Sequence, residues 1–155
     1  MKPRDLLDTA VLLVNARKNK PRQSDLKRAI STIYYAMFHE LARCCANNFV
    51  GTARNGRSNS AWRQVYRSLD HGVAKSQCKN AKVTKFPQGI QDFASTFVTL
   101  QVKRHSVDYD PFVKVYKSEV FVDMASVESA IAAFAACALK DKKAFVAWVL
   151  LKDRN

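Results

Sequence analysis

Lys103-Arg104-His105-Ser106-Val107-Asp108-Tyr109-Asp110-Pro111 collects several ionisable groups at the end of an apolar run. Phe86, Ile90, Phe93, Phe97 and Leu100 are spaced by four, three, four and three, the seam of a helix packed in a bundle, and the next place on that seam is Arg104. A guanidinium on a core stripe needs a partner. Asp108 lies one turn on and suits an (i, i+4) contact; a phosphate in a cleft would also fit the planar fork, and spacing leaves both open.

Arg63, Arg67 and His71 form a second constellation, at (i, i+4, i+8). One continuous helix would put them opposite the stripe of Trp62, Tyr66, Leu69 and Val73, as an exposed cationic row along which a phosphate backbone could lie. That row is an electrostatic footprint and not catalytic machinery. Its surroundings strengthen it: residues 51–85 hold Arg54, Arg57, Arg63, Arg67, Lys75, Lys79, Lys82 and Lys85 against the single acid Asp70. Over the whole chain 26 Lys and Arg face 13 Asp and Glu, a formal net charge of +13 that makes polyanions, RNA first, the expected partners.

Other chemistry finds little support. Arg28 and His39 share a face of one helix but stand roughly 16 Å apart along its axis, too far for an acid–base pair, so His39 is expected to be packed or hydrogen-bonded. Walker, GxGxxG, HExxH and GxSxG patterns are missing. Cys44, Cys45, Cys78 and Cys137 have neither CxxC nor His-paired spacing and read as small hydrophobes, so neither a metal nor a cofactor is expected.

The elements that must position these residues are helices. Four Gly, four Pro and apolar residues at helical spacing predict an all-α fold, a bundle of five to six helices in a single domain over 1–155. The predicted helices begin near Arg4, at Ser24 as N-cap, near 59 (running to 78), near Phe86, at Ser118 as cap, and at Asp141. The second, about 24–49, has a wide apolar sector and reads as the central element. No apolar stretch approaches the roughly 18 residues that cross a bilayer, and no signal-peptide pattern follows Met1, so a cytoplasmic protein with reduced thiols and no membrane partner is expected.

Arg28-Ala-Ile-Ser-Thr-Ile-Tyr-Tyr-Ala-Met-Phe-His39, followed much later by Arg104-His-Ser-Val-Asp-Tyr-Asp110, resembles the HEPN superfamily of small helical domains over most of the chain. The resemblance implies a HEPN-like bundle, commonly a homodimer, in prokaryotic toxin–antitoxin and antiviral defence systems. Many members are metal-independent endoribonucleases whose shared active site uses an Arg followed roughly four to six residues on by a His. Carried onto this chain, Arg104 is the phosphate-facing residue and Asp108 and Tyr109 are its neighbours.

The pattern departs at one point, because Tyr109 stands five residues after Arg104 and no His follows downstream. Attack by a 2′-hydroxyl works best with a group titrating near neutrality, and tyrosine, unperturbed near about 10, substitutes poorly. His105 is about 100° around a continuing helix from Arg104, and His71 would have to come from another helix. The resemblance leaves three outcomes: an RNase using Arg104, His105, Asp108 and Tyr109 with Arg63, Arg67 and His71 guiding RNA; a non-catalytic dimeric RNA-binding or adaptor module; or a partner of an antitoxin or another defence protein.

Overall fold

Pro3 opens the first helix, α1 (Pro3–Asn15), where its missing N–H costs nothing, and Leu7, Ala10 and Val14 turn inward. The computed structural model describes residues 1–153. The central helix is α2 (Gln23–Val50), and Leu26, Ile30, Ile33, Tyr34, Met37, Leu41 and Cys45 bury its wide apolar sector. It packs on α1 and on most of the later helices, and ends at Gly51, whose φ of 116° suits a residue without Cβ.

Next come α3 (Asn59–Ser68), α4 (His71–Lys79) and a 3₁₀ turn (Ala81–Lys85). Ser58 caps α3 by accepting the Ala61 N–H at 3.2 Å. The expected helix over 59–78 is therefore two, because Leu69 adopts an extended conformation and Asp70 caps a new helix by accepting the Val73 N–H at 2.8 Å. This break takes the bundle beyond the expected five to six helices, to seven α-helices among the described residues.

Pro87 precedes α5 (Gln88–Tyr109), so Phe86 packs just ahead of the helix, while Ile90, Phe93, Phe97 and Leu100 fill the core as their spacing predicts. Two further starts differ from expectation. α6 (Lys117–Ala135) begins before Ser118, since the Tyr116 N–H donates to Glu119 Oε2 at 2.8 Å, and α7 (Leu139–Leu150) begins two residues before Asp141. Likewise Ser24 lies within the first turn of α2 and Arg22 is its cap residue.

Phe93, Phe134 and Phe145 join α5, α6 and α7, with Phe93 and Phe134 stacked at 4.5 Å. Gly89 lets α5 and α6 touch: a Cβ there would come within 2.7 Å of the Ala133 carbonyl oxygen and 2.8 Å of Cys137 Sγ. The irregular segment between α5 and α6 is tied to the start of α2 by Gln23, whose amide exchanges two hydrogen bonds with the Val115 backbone. All four cysteines are free. Among the described residues no single helix is long and apolar enough to cross a membrane.

Candidate functional site

Arg104 extends the α5 seam, as its register requires, but only 15% of its side chain meets solvent. The guanidinium lies over the rings of Tyr34 (5.2 Å) and Tyr35 (5.9 Å) on α2, a cation–π arrangement in a partly desolvated site. Its NH1 donates to Asp108 Oδ2 at 3.4 Å, well beyond the roughly 2.7–2.9 Å of a strong charged bond, and the same oxygen accepts from Ser31 Oγ at 3.4 Å. Arg104 Nε is buried without a partner. Of the two alternatives for Arg104, the intrahelical pair forms, at long range; Asp108, but not Arg104, lines a groove of about 310 Å³ with Ser24, Lys27, Arg28 and Val107.

His71 does not join Arg63 and Arg67. It is the first residue of α4, and the break before it turns the imidazole inward to stack on Phe38 at 3.8 Å. The exposed row therefore consists of Arg63 and Arg67 on α3, along an open groove of about 580 Å³ with Ser60, Gln64 and Ser68.

The Tyr34 hydroxyl meets His71 Nδ1 at 2.6 Å. Burial pushes the Tyr34 phenol far above its ordinary range, so it keeps its proton and shares a hydrogen bond with Nδ1 whose direction follows the imidazole tautomer. Burial, then the Arg104 charge, lowers the His71 pKa below 6.5. The imidazole is consequently neutral near pH 7, with Nδ1 engaged by the Tyr34 hydroxyl. Nε2 is the ring nitrogen left to meet a ligand.

His39 is held similarly, Nδ1 to the Tyr66 hydroxyl at 2.5 Å, with its pKa also lowered by burial. Tyr66 stacks on Trp62 at 5.0 Å, and the Arg57 guanidinium covers Trp62 at 4.4 Å. Rings of α2, α3 and α4 thus form one row, Trp62, Tyr66, His39, Tyr35, His71 and Tyr34, with Arg57 at one end and Arg104 at the other. Tyr34 is fully buried, while the other rings of the row are half-buried.

His105 and Tyr109 lie apart from this row on the exposed side of α5, their rings 4.8 Å apart. Spacing alone does not identify Tyr34 and Tyr35 as contacts of Arg104, or Ser31 as a partner of Asp108. Their signal is the Tyr-Tyr pair of the central helix, but a helical wheel shows only that these residues face inward, not what faces them. No protein-family model, curated protein or solved structure matches the chain.

Proposed function

We propose that the chain is an RNA-directed domain of the HEPN kind, which holds a strand between Arg104 and the basic outer face of α3. The observation that supports this reading is the state of Arg104: a guanidinium with a long ion pair and a partnerless buried Nε, whose partner Asp108 lines a groove with Lys27 and Arg28. A phosphate oxygen is a better acceptor for that fork than Asp108 at 3.4 Å. The +13 net charge supplies the long-range attraction.

Binding without turnover is the better supported form. Acid–base cleavage in the family that the chain resembles uses a His roughly four to six residues after the Arg, and here that span after Arg104 holds Asp108, Tyr109 and Asp110. One observation favours the metal-independent endoribonuclease of a toxin–antitoxin or defence system instead: His71 and Arg104 contact the same tyrosine rings. Incubating labelled RNA with the protein in EDTA separates the two forms, while fluorescence anisotropy across salt concentrations tests RNA binding itself. Wild-type binding that weakens with salt and weakens again in Arg104→Ala is the expected result; no binding at low ionic strength would overturn it.

A homodimer, or a complex with a defence-system protein, belongs to the same proposal. Tyr109 at the end of α5 and Phe112 and Tyr116 on the segment that follows support it, being 69%, 90% and 65% exposed. Phe112→Ser is expected to lower the association state in analytical ultracentrifugation without lowering the melting temperature.

A further inference from the structure

Gln101 stands on the face of α5 that meets Tyr34, between Phe97, whose ring is 5.5 Å from that tyrosine, and Arg104. It is only 7% exposed. A buried amide needs partners at both ends, and Gln101 has one: Nε2 donates to the His71 carbonyl oxygen at 2.8 Å, while Oε1 is buried without a partner among the described residues. The carbonyl can only accept, so it fixes which end of the amide faces α4.

Core packing does not explain a glutamine here. Its neighbours on the seam, Phe97 and Leu100, are apolar, and a methionine would fill nearly the same space with no acceptor left unmet. Attachment of α4 does not explain it either. That helix buries Ala74 and Cys78, and the side chains of Gln77 and Trp148 each donate to the other's backbone carbonyl, at 2.7 and 3.1 Å, which clasps α4 to α7.

The Gln101 bond adds a fixed position for the first turn of α4, the turn that carries His71. His71 is thereby held at three points: its carbonyl on Gln101, its ring face on Phe38 at 3.8 Å, and Nδ1 on the Tyr34 hydroxyl at 2.6 Å. Arg104 follows Gln101 by three positions on the same side of α5, a spacing that sets Cβ atoms about 5–6 Å apart. One face of α5 thus places the guanidinium directly and the imidazole through its backbone.

We propose that Gln101 is a positioning residue of the RNA site, which sets His71 against Tyr34 and Tyr35 beside Arg104 so that Nε2 and the guanidinium meet one strand together. The inference rests on the RNA reading of Arg104.

The test uses the full chain. In the wild-type protein the Gln101 side-chain amide protons should exchange slowly with solvent, followed by NMR. Gln101→Met should leave the melting temperature unchanged or raise it, yet move the His71 ring titration upward, toward its ordinary value. The same variant should weaken RNA binding by about threefold or more, and in a His71→Ala background it should remove no further affinity, because Gln101 acts through His71. Fast exchange of the wild-type Gln101 amide, an unshifted His71 titration whatever the melting temperature, or an equal loss of affinity with His71 already removed would each overturn the proposal. Those outcomes leave RNA binding standing, whereas wild-type protein that binds no RNA at low ionic strength would overturn both readings at once.

Discussion

His71 and Arg104, from different helices, stand against the same two tyrosines: the imidazole is 5.7 Å from the Tyr34 ring and 5.9 Å from the Tyr35 ring, and the guanidinium 5.2 and 5.9 Å. Their distance along the sequence hides this. The two groups share one aromatic bed, and the permanent charge of Arg104 opposes protonation of its neighbour.

Removing that charge has a measurable result. In Arg104→Ala the His71 imidazole should titrate at higher pH than in the wild type, followed by NMR of its ring protons. An unshifted titration would separate the two residues electrostatically.

Stability should depend on pH with a defined sign. His39 and His71 both titrate below 6.5 in the fold, so in the window at and below about 6.5 the unfolded chain binds more protons than the native one. Their contribution is complete above that value and declines as acid carries the pH through the native pKa values. Urea midpoints should therefore fall between about pH 7.5 and 5.5, and fall less in His71→Gln. An equal fall in both proteins would mean that His71 contributes nothing to the pH dependence.

Gly89→Ala reverses the usual helix rule. Alanine favours a helix interior by up to about 1 kcal/mol over glycine, and Gly89, in the first turn of α5, would gain less than that. Here its Cβ would meet the Ala133 carbonyl oxygen at 2.7 Å, a backbone atom that moves only with all of α6. A net loss of about 1–3 kcal/mol is expected in chemical denaturation; a stabilised variant would mean that α5 and α6 part easily.

Arg63→Ala with Arg67→Ala should reduce the salt slope of RNA binding by about 2, one for each phosphate that is no longer neutralised. Both side chains are exposed, so stability should change by less than about 0.5 kcal/mol. An unaltered slope would move the strand off α3.

The α5 seam is legible in the sequence because a repeat of large apolar residues has one burial solution, and Arg104 follows from the same register. The α3–α4 break is not. Its signal, an Asp three residues before Val73, is one capping interaction inside an otherwise helical pattern, and that single cap carries His71 from an outer row to the aromatic bed. Ion pairing of Arg104 with Asp108 can be read from (i, i+4) spacing, whereas its contact with Tyr34 depends on how α5 lies across α2. Gln101 escapes a reading of apolar periodicity, although an amide beside Leu100 on a buried seam is itself a signal.

α3 contains no fully buried residue and leans on the body through the half-buried Trp62, Val65 and Tyr66. Lifting it away forfeits less apolar contact than displacing any core helix, which makes it a leaf that opens ahead of global unfolding. Amide deuterium uptake across 59–68 should outpace that of α2 and α5, and each opening would bring water to the far side of His39.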